Sequence, residues 1–247
     1  MSKKNLTEIT KNKIGTGLLI ENDGYISMSE GENKSLFESY RTLNESAESG
    51  EFHCPYPFVV SAVFQKFGIE NANGRIYPEN ILKREVERYQ KNINEKRAYG
   101  EQNHPSDTTI DLGRIAMNII ELHWVGRTLV GKLEVITTPG FRKYGIVSTP
   151  GDSTANLLLQ GLKVGVSSRG LGSVDNKMGK YIVGDDYELV CWDFVSDPST
   201  PNAWVGKSEE ELQPYIENTE RKGNVLKEER KNIDTDRLAK FEKWLND

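Results

Sequence analysis

The chain has 247 residues, of which 36% are hydrophobic and 28% charged, and its formal net charge is -5 at pH 7. This length fits one domain of roughly 150 to 200 residues with polar segments beside it. The acidic balance argues against a general nucleic-acid-binding protein, which normally carries a basic surface. Because no apolar run approaches about 18 residues and no apolar segment follows Lys3 and Lys4, we predict neither a membrane span nor a secretory signal.

Residues 1–55 are mostly polar, and we expect them to form a loosely ordered arm. The first strand is predicted over 57–64, where β-branched and aromatic residues are dense. Asn73-Gly74 followed by Pro78 predicts a turn and then a helix over 78–91. Further strands and one further helix are expected, in chain order, at 110–115, 117–124, 127–137 and, for the helix, 150–162.

The segment 162–174 predicts a strand in which two serines, an arginine and three glycines interrupt an apolar alternation. Since side chains alternate along a strand, Ser167 and Arg169 should lie on one face and Val166 and Ser168 on the other. Downstream, 180–183 and 187–195 predict a hairpin-like pair, and the charged C-terminal region predicts a linker at 218–234 and a helix at 235–244. This order indicates a mainly antiparallel β core with inserted helices.

The serine on this strand could act as a nucleophile if a base and an orienting group are near it. Acyl transfer by a serine needs a base within hydrogen-bond reach and usually a third group that orients the base. Among the three histidines, His104 lies in a loop sequence that can present a side chain to a cleft, whereas His123 lies in strand-like sequence and His53 precedes the core. Ser167, His104 and an acid in 193–197 would supply the set.

Other chemistries have little support in the sequence. The run around Ser167 lacks the last glycine of Gly-x-Ser-x-Gly. There is no His-Glu-x-x-His or Cys-x-x-Cys, and Cys54 and Cys191 suggest neither a zinc site nor a disulfide framework, which fits a reducing, intracellular compartment. The glycines of 165–172 match no phosphate-binding pattern. We therefore predict no metal, no nucleotide and no other cofactor.

Four motifs in a fixed order suggest a family. Over residues 57–204 the chain resembles the prohead core proteases of T4-like tailed bacteriophages, which are similar in fold to the herpesvirus maturation proteases. The motifs are Asn73-Gly-Arg-Ile-Tyr-Pro78, Gly100-Glu-Gln-Asn-His-Pro105, Gly165-Val-Ser-Ser-Arg-Gly170 and Asp193-Phe-Val-Ser-Asp-Pro198.

The resemblance implies an α+β fold with a mainly antiparallel β-barrel surrounded by helices. We accordingly divide the chain into a flexible arm over 1–55, removed by self-cleavage, a serine protease domain over 56–206 and a charged helical tail over 207–247. It also implies a serine endopeptidase inside the immature capsid in the host cytoplasm. Its partners would be the scaffold proteins and the major capsid protein as substrates, further copies of itself in autoprocessing, and a homo-oligomer, with no nucleic acid or membrane. The alternative is an inactive prohead core or scaffold protein of the same fold.

Carried over to this chain, the family's nucleophile falls on Ser167 and its histidine on His104. The herpesvirus relatives have a second histidine as third member, and the matching stretch here offers Asp193, with Asp197 or a dyad as alternatives. The expected oxyanion donors are the backbone N–H groups of Arg169 and Gly170 or of the loop 199–202. Arg169 could instead pair with an acid in the core.

The resemblance also implies cleavage after glutamate in an apolar-x-Glu context, including self-cleavage. Several segments of the chain fit this pattern: 6–8, 19–21, 36–38, 43–45, 93–95, 119–121 and 226–228.

Overall fold

The computed structural model describes residues 18–20, 52, 54–177, 179–214 and 216. The chain divides into two units, Met1–Leu212 and Gln213–Asp247, and all numbered strands and helices below belong to the first. The predicted linker at 218–234 and the predicted helix at 235–244 lie outside the described residues. No described helix is long and apolar enough to cross a bilayer.

Between residues 18 and 206 the described chain contains eleven strands and three helices, and residues 209–214 are also helical. The strands are β1 (Leu18–Ile20), β2 (Phe58–Lys66), β3 (Arg75–Ile76), β4 (Tyr99–Glu101), β5 (Ile115–Val125), β6 (Thr128–Val135), β7 (Gly165–Leu171), β8 (Val174–Lys177), β9 (Lys180–Val183), β10 (Glu188–Val195) and β11 (Val205–Gly206). The helices are α1 (Glu79–Asn94), α2 (Pro139–Tyr144) and α3 (Pro150–Leu159).

The main core lies between a five-stranded sheet, ordered β11-β2-β6-β5-β4, and the strands β7 and β10. Trp192 of β10 is fully buried, with its ring 5.5 Å from Phe64 of β2 and 5.1 Å from Tyr89 of α1, both edge to face. Burying such rings is among the largest apolar contributions a side chain can make to folding. The apolar stripe of α1 therefore fixes β10 against the large sheet.

Helix α3 begins with a capping box, in which Thr149 and Asp152 each accept a hydrogen bond from the other's backbone N–H. The fully buried Asp152 carboxylate also accepts from the N–H and the hydroxyl of Thr138, at 2.7 and 2.9 Å, and from the Ser148 hydroxyl at 2.9 Å. Satisfying the free N–H groups of the first turn stabilises the helix start. After this helix the chain continues into β7.

The strands β1, β7 and β10 form a separate antiparallel sheet in that order. Single bridges connect this sheet with the five-stranded one, at Gln102↔Phe194 and at Gly165↔Trp204. The mainly antiparallel α+β organisation is thus confirmed. No continuous ladder closes the described strands into a barrel, so the barrel stays a prediction.

The structure departs from the sequence predictions in two places and adds short elements that they did not include, among them α2 and β1. The predicted hairpin of 180–183 with 187–195 is wrong, because β9 pairs with β8 and β3 and leaves β10 to β7. Residues 110–114 precede β5 without forming a strand. The short helix α2 follows the strand predicted over 127–137, and its N-cap residue Thr138 accepts a hydrogen bond from the Phe141 N–H at 3.2 Å. Within the predicted arm, Leu18–Ile20 form β1 on the edge of β7.

Candidate active site

The pairing of β7 with β10 sets the base of the site. Asp193 lies directly opposite Ser167, and Cys191 lies opposite Arg169. Directly opposed residues of an antiparallel pair present their side chains on the same face, and alternate residues of one strand share a face. These four side chains therefore share one face, while Ser168, opposite Trp192, lies on the other, as the alternation of the sequence predicts.

His104 reaches this face because β4 crosses close to β10. A Cβ placed on Gly100 would lie 2.1 Å from the Trp192 carbonyl oxygen, so glycine permits this approach. Further along, the Glu101 N–H donates to Asp193 Oδ1 at 2.9 Å, and the Asn103 N–H donates to the Phe194 carbonyl at 2.8 Å. These bonds hold the loop before His104 against β10.

Asn103 makes the turn that presents the histidine. Its φ of +67° lies in the left-handed region, which asparagine tolerates better than most residues other than glycine. The turn brings His104 Nδ1 to 2.7 Å from Asp193 Oδ2, and neither side chain exposes any surface. The structure thus brings Asp193, one of the two acids that the sequence left open, to the imidazole.

The protonation state of this pair follows from its surroundings. Burial disfavours the charged form of Asp193, but hydrogen bonding to His104 and the charges of His104 and Arg169 outweigh it, so the pKa of Asp193 is lowered. An ionised carboxylate accepts the Nδ1 proton, which leaves the lone pair on Nε2. That Nε2 is buried and has no hydrogen-bond partner among the residues described here.

Arg169 occupies the centre of the buried face. Its Nη2 donates to Asp193 Oδ1 at 3.2 Å and to Cys191 Sγ at 3.2 Å, while Nε lies 3.0 Å from Asp193 Oδ2 as an ion pair. The same Nη2 lies 3.3 Å from Glu101 Oε1, and Nη1 donates to the Asp107 carbonyl at 2.8 Å. Arg169 pairs with acids in the core, as one of the two sequence interpretations proposed.

Glu101 is the site residue that sequence reasoning did not single out. Its side chain is fully buried, and Oε1 accepts a hydrogen bond from the Asp111 N–H at 2.7 Å. The signal was present in the Gly100–Pro105 motif, where a charged residue stands in a short buried strand. Buried carboxylates are rare without a charged or hydrogen-bonding partner.

Ser167 is fully buried, and the neighbouring Gly165 lets Pro198 approach, since an added Cβ would lie 2.6 Å from Pro198 Cδ. The loop considered for oxyanion donors is anchored here as well, because the Val166 N–H donates to the Ala203 carbonyl at 2.8 Å. Its Ser199 and Thr200 are buried. His123 lies apart from this face and contacts Glu209 through Nε2 at 3.1 Å.

Comparison with known proteins identifies the family. Residues 18–213 match the family model described as "Prohead core protein serine protease". The chain belongs to this family. It is 37% identical over 156 residues to the prohead core protein protease of Enterobacteria phage T4, covering 61% of this chain and 68% of the relative.

A solved structure supports the same family. The bacteriophage T4 capsid assembly protease matches with a TM-score of 0.51 and 31% sequence identity, covering 56% of this chain and 80% of that one. The chain is therefore a phage prohead protease by family, and the residues matched in the family model include β4, β7 and β10. Among the described residues, no cluster of three or more His, Cys, Asp or Glu side chains could hold a metal ion.

Proposed function

We propose that this prohead protease is a serine endopeptidase with Ser167 as nucleophile, His104 as general base and Asp193 as orienting acid. The observation that carries the proposal is the buried 2.7 Å contact between His104 Nδ1 and Asp193. Asp193 is the residue of β10 that lies directly opposite Ser167 of β7. A nucleophile, a base and a group that orients the base are the requirements of acyl transfer by a serine.

In the proposed mechanism, Ser167 Oγ attacks the carbonyl carbon of the peptide bond while His104 Nε2 takes the hydroxyl proton. The imidazolium then gives this proton to the leaving amine, and an acyl-enzyme ester remains on Ser167. A water molecule, deprotonated by His104, hydrolyses the ester and regenerates Ser167. Asp193 stays ionised throughout and stabilises the imidazolium. The oxyanion donors proposed are backbone N–H groups of Arg169 and Gly170 or of 199–202.

The proposed substrates are the internal scaffold and the head proteins of the immature capsid, cut after glutamate. The proposal extends to the chain itself, because the apolar-x-Glu segments at 6–8, 36–38, 43–45 and 226–228 lie outside the compact domain predicted from the sequence. The segment 19–21 also fits the pattern, but it overlaps β1. Within the predicted protease domain, 93–95 and 119–121 also fit, but they lie in or next to α1 and in β5, where a protease reaches the backbone less readily.

A second candidate function is an inactive core protein of the same fold. One observation favours it, namely that neither Ser167 nor the His104 side chain exposes any surface in this conformation. A substrate could reach Ser167 only after a rearrangement.

The test compares wild type, Ser167→Ala and Ser168→Ala by intact mass over time, alone and with scaffold and shell proteins. We expect Ser167→Ala to fold normally and lose all cleavage, whereas Ser168→Ala, whose hydroxyl lies on the core face, keeps most of it. New ends after glutamates would support the specificity. Loss of cleavage in Ser168→Ala alone would assign the nucleophile to Ser168 instead of Ser167. No cleavage by wild type in the complete mixture would favour the inactive core protein.

A further inference from the structure

The buried cluster around Asp193 contains more charge than an orienting acid requires. Asp193 and Glu101 are two carboxylates, and Arg169 is one guanidinium, all fully buried and in mutual contact. Their charges sum to one net negative charge. When His104 takes a proton from the nucleophile, the imidazolium, 2.7 Å from Asp193, brings the sum to zero.

The other titratable groups facing the cluster do not change this balance. Burial, reinforced by Asp193, raises the pKa of the Cys191 thiol well above its ordinary range, and burial raises that of Tyr89. Both groups therefore stay neutral near pH 7. Arg114 borders Glu101 Oε2 at 3.4 Å but is 44% exposed, and Asp107 contacts Arg169 through its backbone while its side chain faces solvent. Solvent screens both of these charges.

We propose that Glu101 and Arg169 are positioning residues that hold Asp193 in place and give the site the single negative charge that protonation of His104 neutralises. Arg169 holds both oxygens of the Asp193 carboxylate, Oδ1 through Nη2 at 3.2 Å and Oδ2, which His104 also contacts, through Nε at 3.0 Å. Glu101 compensates the charge that Arg169 would otherwise add. A buried group is stabilised most by charges that are fixed before the reaction and complement the charge that develops. The inference rests on the proposed function.

The test is the pH profile of kcat/KM for a peptide with an apolar-x-Glu sequence, in full-length wild type and Glu101→Gln. A glutamine still accepts the bond from the Asp111 N–H but lacks the negative charge, so protonation of His104 becomes less favourable. We expect the acid limb, which reports the free-enzyme base, to move to lower pH by about one unit. The matched control is Glu121→Gln, an exposed glutamate on β5 beside Lys132, which should not move it.

A double variant separates charge from simple structural damage. Arg169→Met with Glu101→Gln removes one charge of each sign and restores the net charge of wild type. We expect its acid limb near the wild-type position, with kcat reduced because Asp193 has lost its guanidinium support. An acid limb unchanged in folded Glu101→Gln, or shifted equally in the double variant, would overturn the inference. Absence of activity in wild type relative to Ser167→Ala would instead overturn the proposed function.

A separate observation concerns access to Ser167. On the side of β7 away from β10, the Val205 N–H donates to the Val164 carbonyl at 3.0 Å, and Leu18–Ile20 pair with Arg169–Leu171. Ser167 and Ser168 lie on the edge between these two segments. Peptides commonly bind proteins by adding a strand to such an edge, through backbone hydrogen bonds.

The two segments differ in how firmly the rest of the chain holds them. Val205 belongs to β11, which also pairs with Ala62 of β2 inside the large sheet. The strand β1 is three residues long, and β7 is its one described strand partner. The segment that a peptide strand can displace at lower cost is therefore β1.

We infer that β1 is an autoinhibitory strand, which holds the β7 edge that a substrate peptide needs and keeps Ser167 closed until it leaves. This second inference also rests on the proposed function. In the register of β1, Ile20 lies opposite Arg169, two residues from Ser167 on the same strand.

The test measures the rate at which a fluorophosphonate labels Ser167 in the full-length protein. Leu19→Pro and, separately, Ile20→Pro remove a backbone N–H, and because alternate residues of a strand point to the same neighbour, one of the two removes a bond to β7. We expect labelling at least tenfold faster in one of them. The conservative variants Leu19→Val and Ile20→Val keep the N–H and should label like wild type, and Ser167→Ala should not label.

Rescue with a peptide makes the test independent of damage elsewhere. A synthetic peptide with the sequence of residues 15–20, which lacks glutamate, should slow labelling of the faster proline variant towards the wild-type rate. Equal labelling rates in wild type and both proline variants would overturn the autoinhibition and leave the nucleophile in place. No labelling of Ser167 in any variant, and no cleavage, would overturn the proposed function as well.

Discussion

The Asp193 carboxylate accepts hydrogen bonds from four donors: the His104 imidazole, the Glu101 N–H, the Arg169 guanidinium and the Cys191 thiol, which donates at 3.3 Å. This number of donors explains why a fully buried acid stays ionised, since each hydrogen bond to the charged form offsets part of the cost of burial. The same donors hold the carboxylate in one orientation, and its contact with His104 Nδ1 in turn orients the imidazole.

The variant Asp193→Asn tests this role at the scale of one residue. An amide that turns its NH2 group towards His104 favours the imidazole tautomer with the proton on Nε2, so the base is lost at the nucleophile. We expect kcat to fall by about 10³–10⁴-fold, the size of effect seen for such substitutions in serine proteases. The comparison is Asp197→Asn, which should keep most of the activity. A larger loss in Asp197→Asn than in Asp193→Asn would reverse the assignment.

At the scale of elements, the site depends on the close crossing of β4 over β10. The strands can approach closely there because Gly100 has no side chain. The backbone N–H groups of Glu101 and Asn103, one and three residues further along, then donate hydrogen bonds to β10. We expect Gly100→Ala to push β4 away from the Trp192 carbonyl, to cost about 1–3 kcal/mol of folding free energy and to separate His104 from Asp193. Urea unfolding and peptide hydrolysis would measure the two effects.

The matched control for this prediction is Gly140→Ala in α2. An added Cβ there meets nothing closer than 4.0 Å, and alanine is the better helix former, so stability should stay the same or rise slightly. Activity retained in full by a stable Gly100→Ala would show that the crossing is not needed.

The sequence predicted these elements better than it predicted their contacts. The density of β-branched residues located β2, and the alternation around Ser167 assigned the faces of β7, because both signals are local. The error at β9 arose because pairing is decided by partners distant in the chain: Gly179, with φ of +81°, turns the chain between β8 and β9, and β9 then lies parallel to β3. The role of Glu101 was missed for the same reason, because it depends on the contact with Arg169, which lies 68 residues away in the sequence.

At the scale of the whole molecule, two buried carboxylates predict how stability depends on acid. Burial opposes the ionisation of Asp152 and Asp193, but hydrogen bonds from Thr138 and Ser148 to the first, and His104 and Arg169 beside the second, lower both pKa values below the ordinary 3.8. A lowered pKa in the folded state stabilises the fold above the unfolded value, and this stability is lost as the pH falls through the folded value. The urea midpoint should therefore decrease steeply below about pH 4.

At alkaline pH, the stability of the fold should depend on the two buried cysteine thiols instead of the carboxylates. Burial raises the pKa of the Cys54 and Cys191 thiols above the ordinary 9.0, so the unfolded chain releases these protons first and stability declines as the pH rises above that value. Urea midpoints between pH 2.5 and 10.5 would trace both declines. Asp152→Asn should flatten the acid side and Cys54→Ala the alkaline side, each leaving the other unchanged. A midpoint that stays constant from pH 4 to 2.5 would show that these carboxylates bind protons equally in both states.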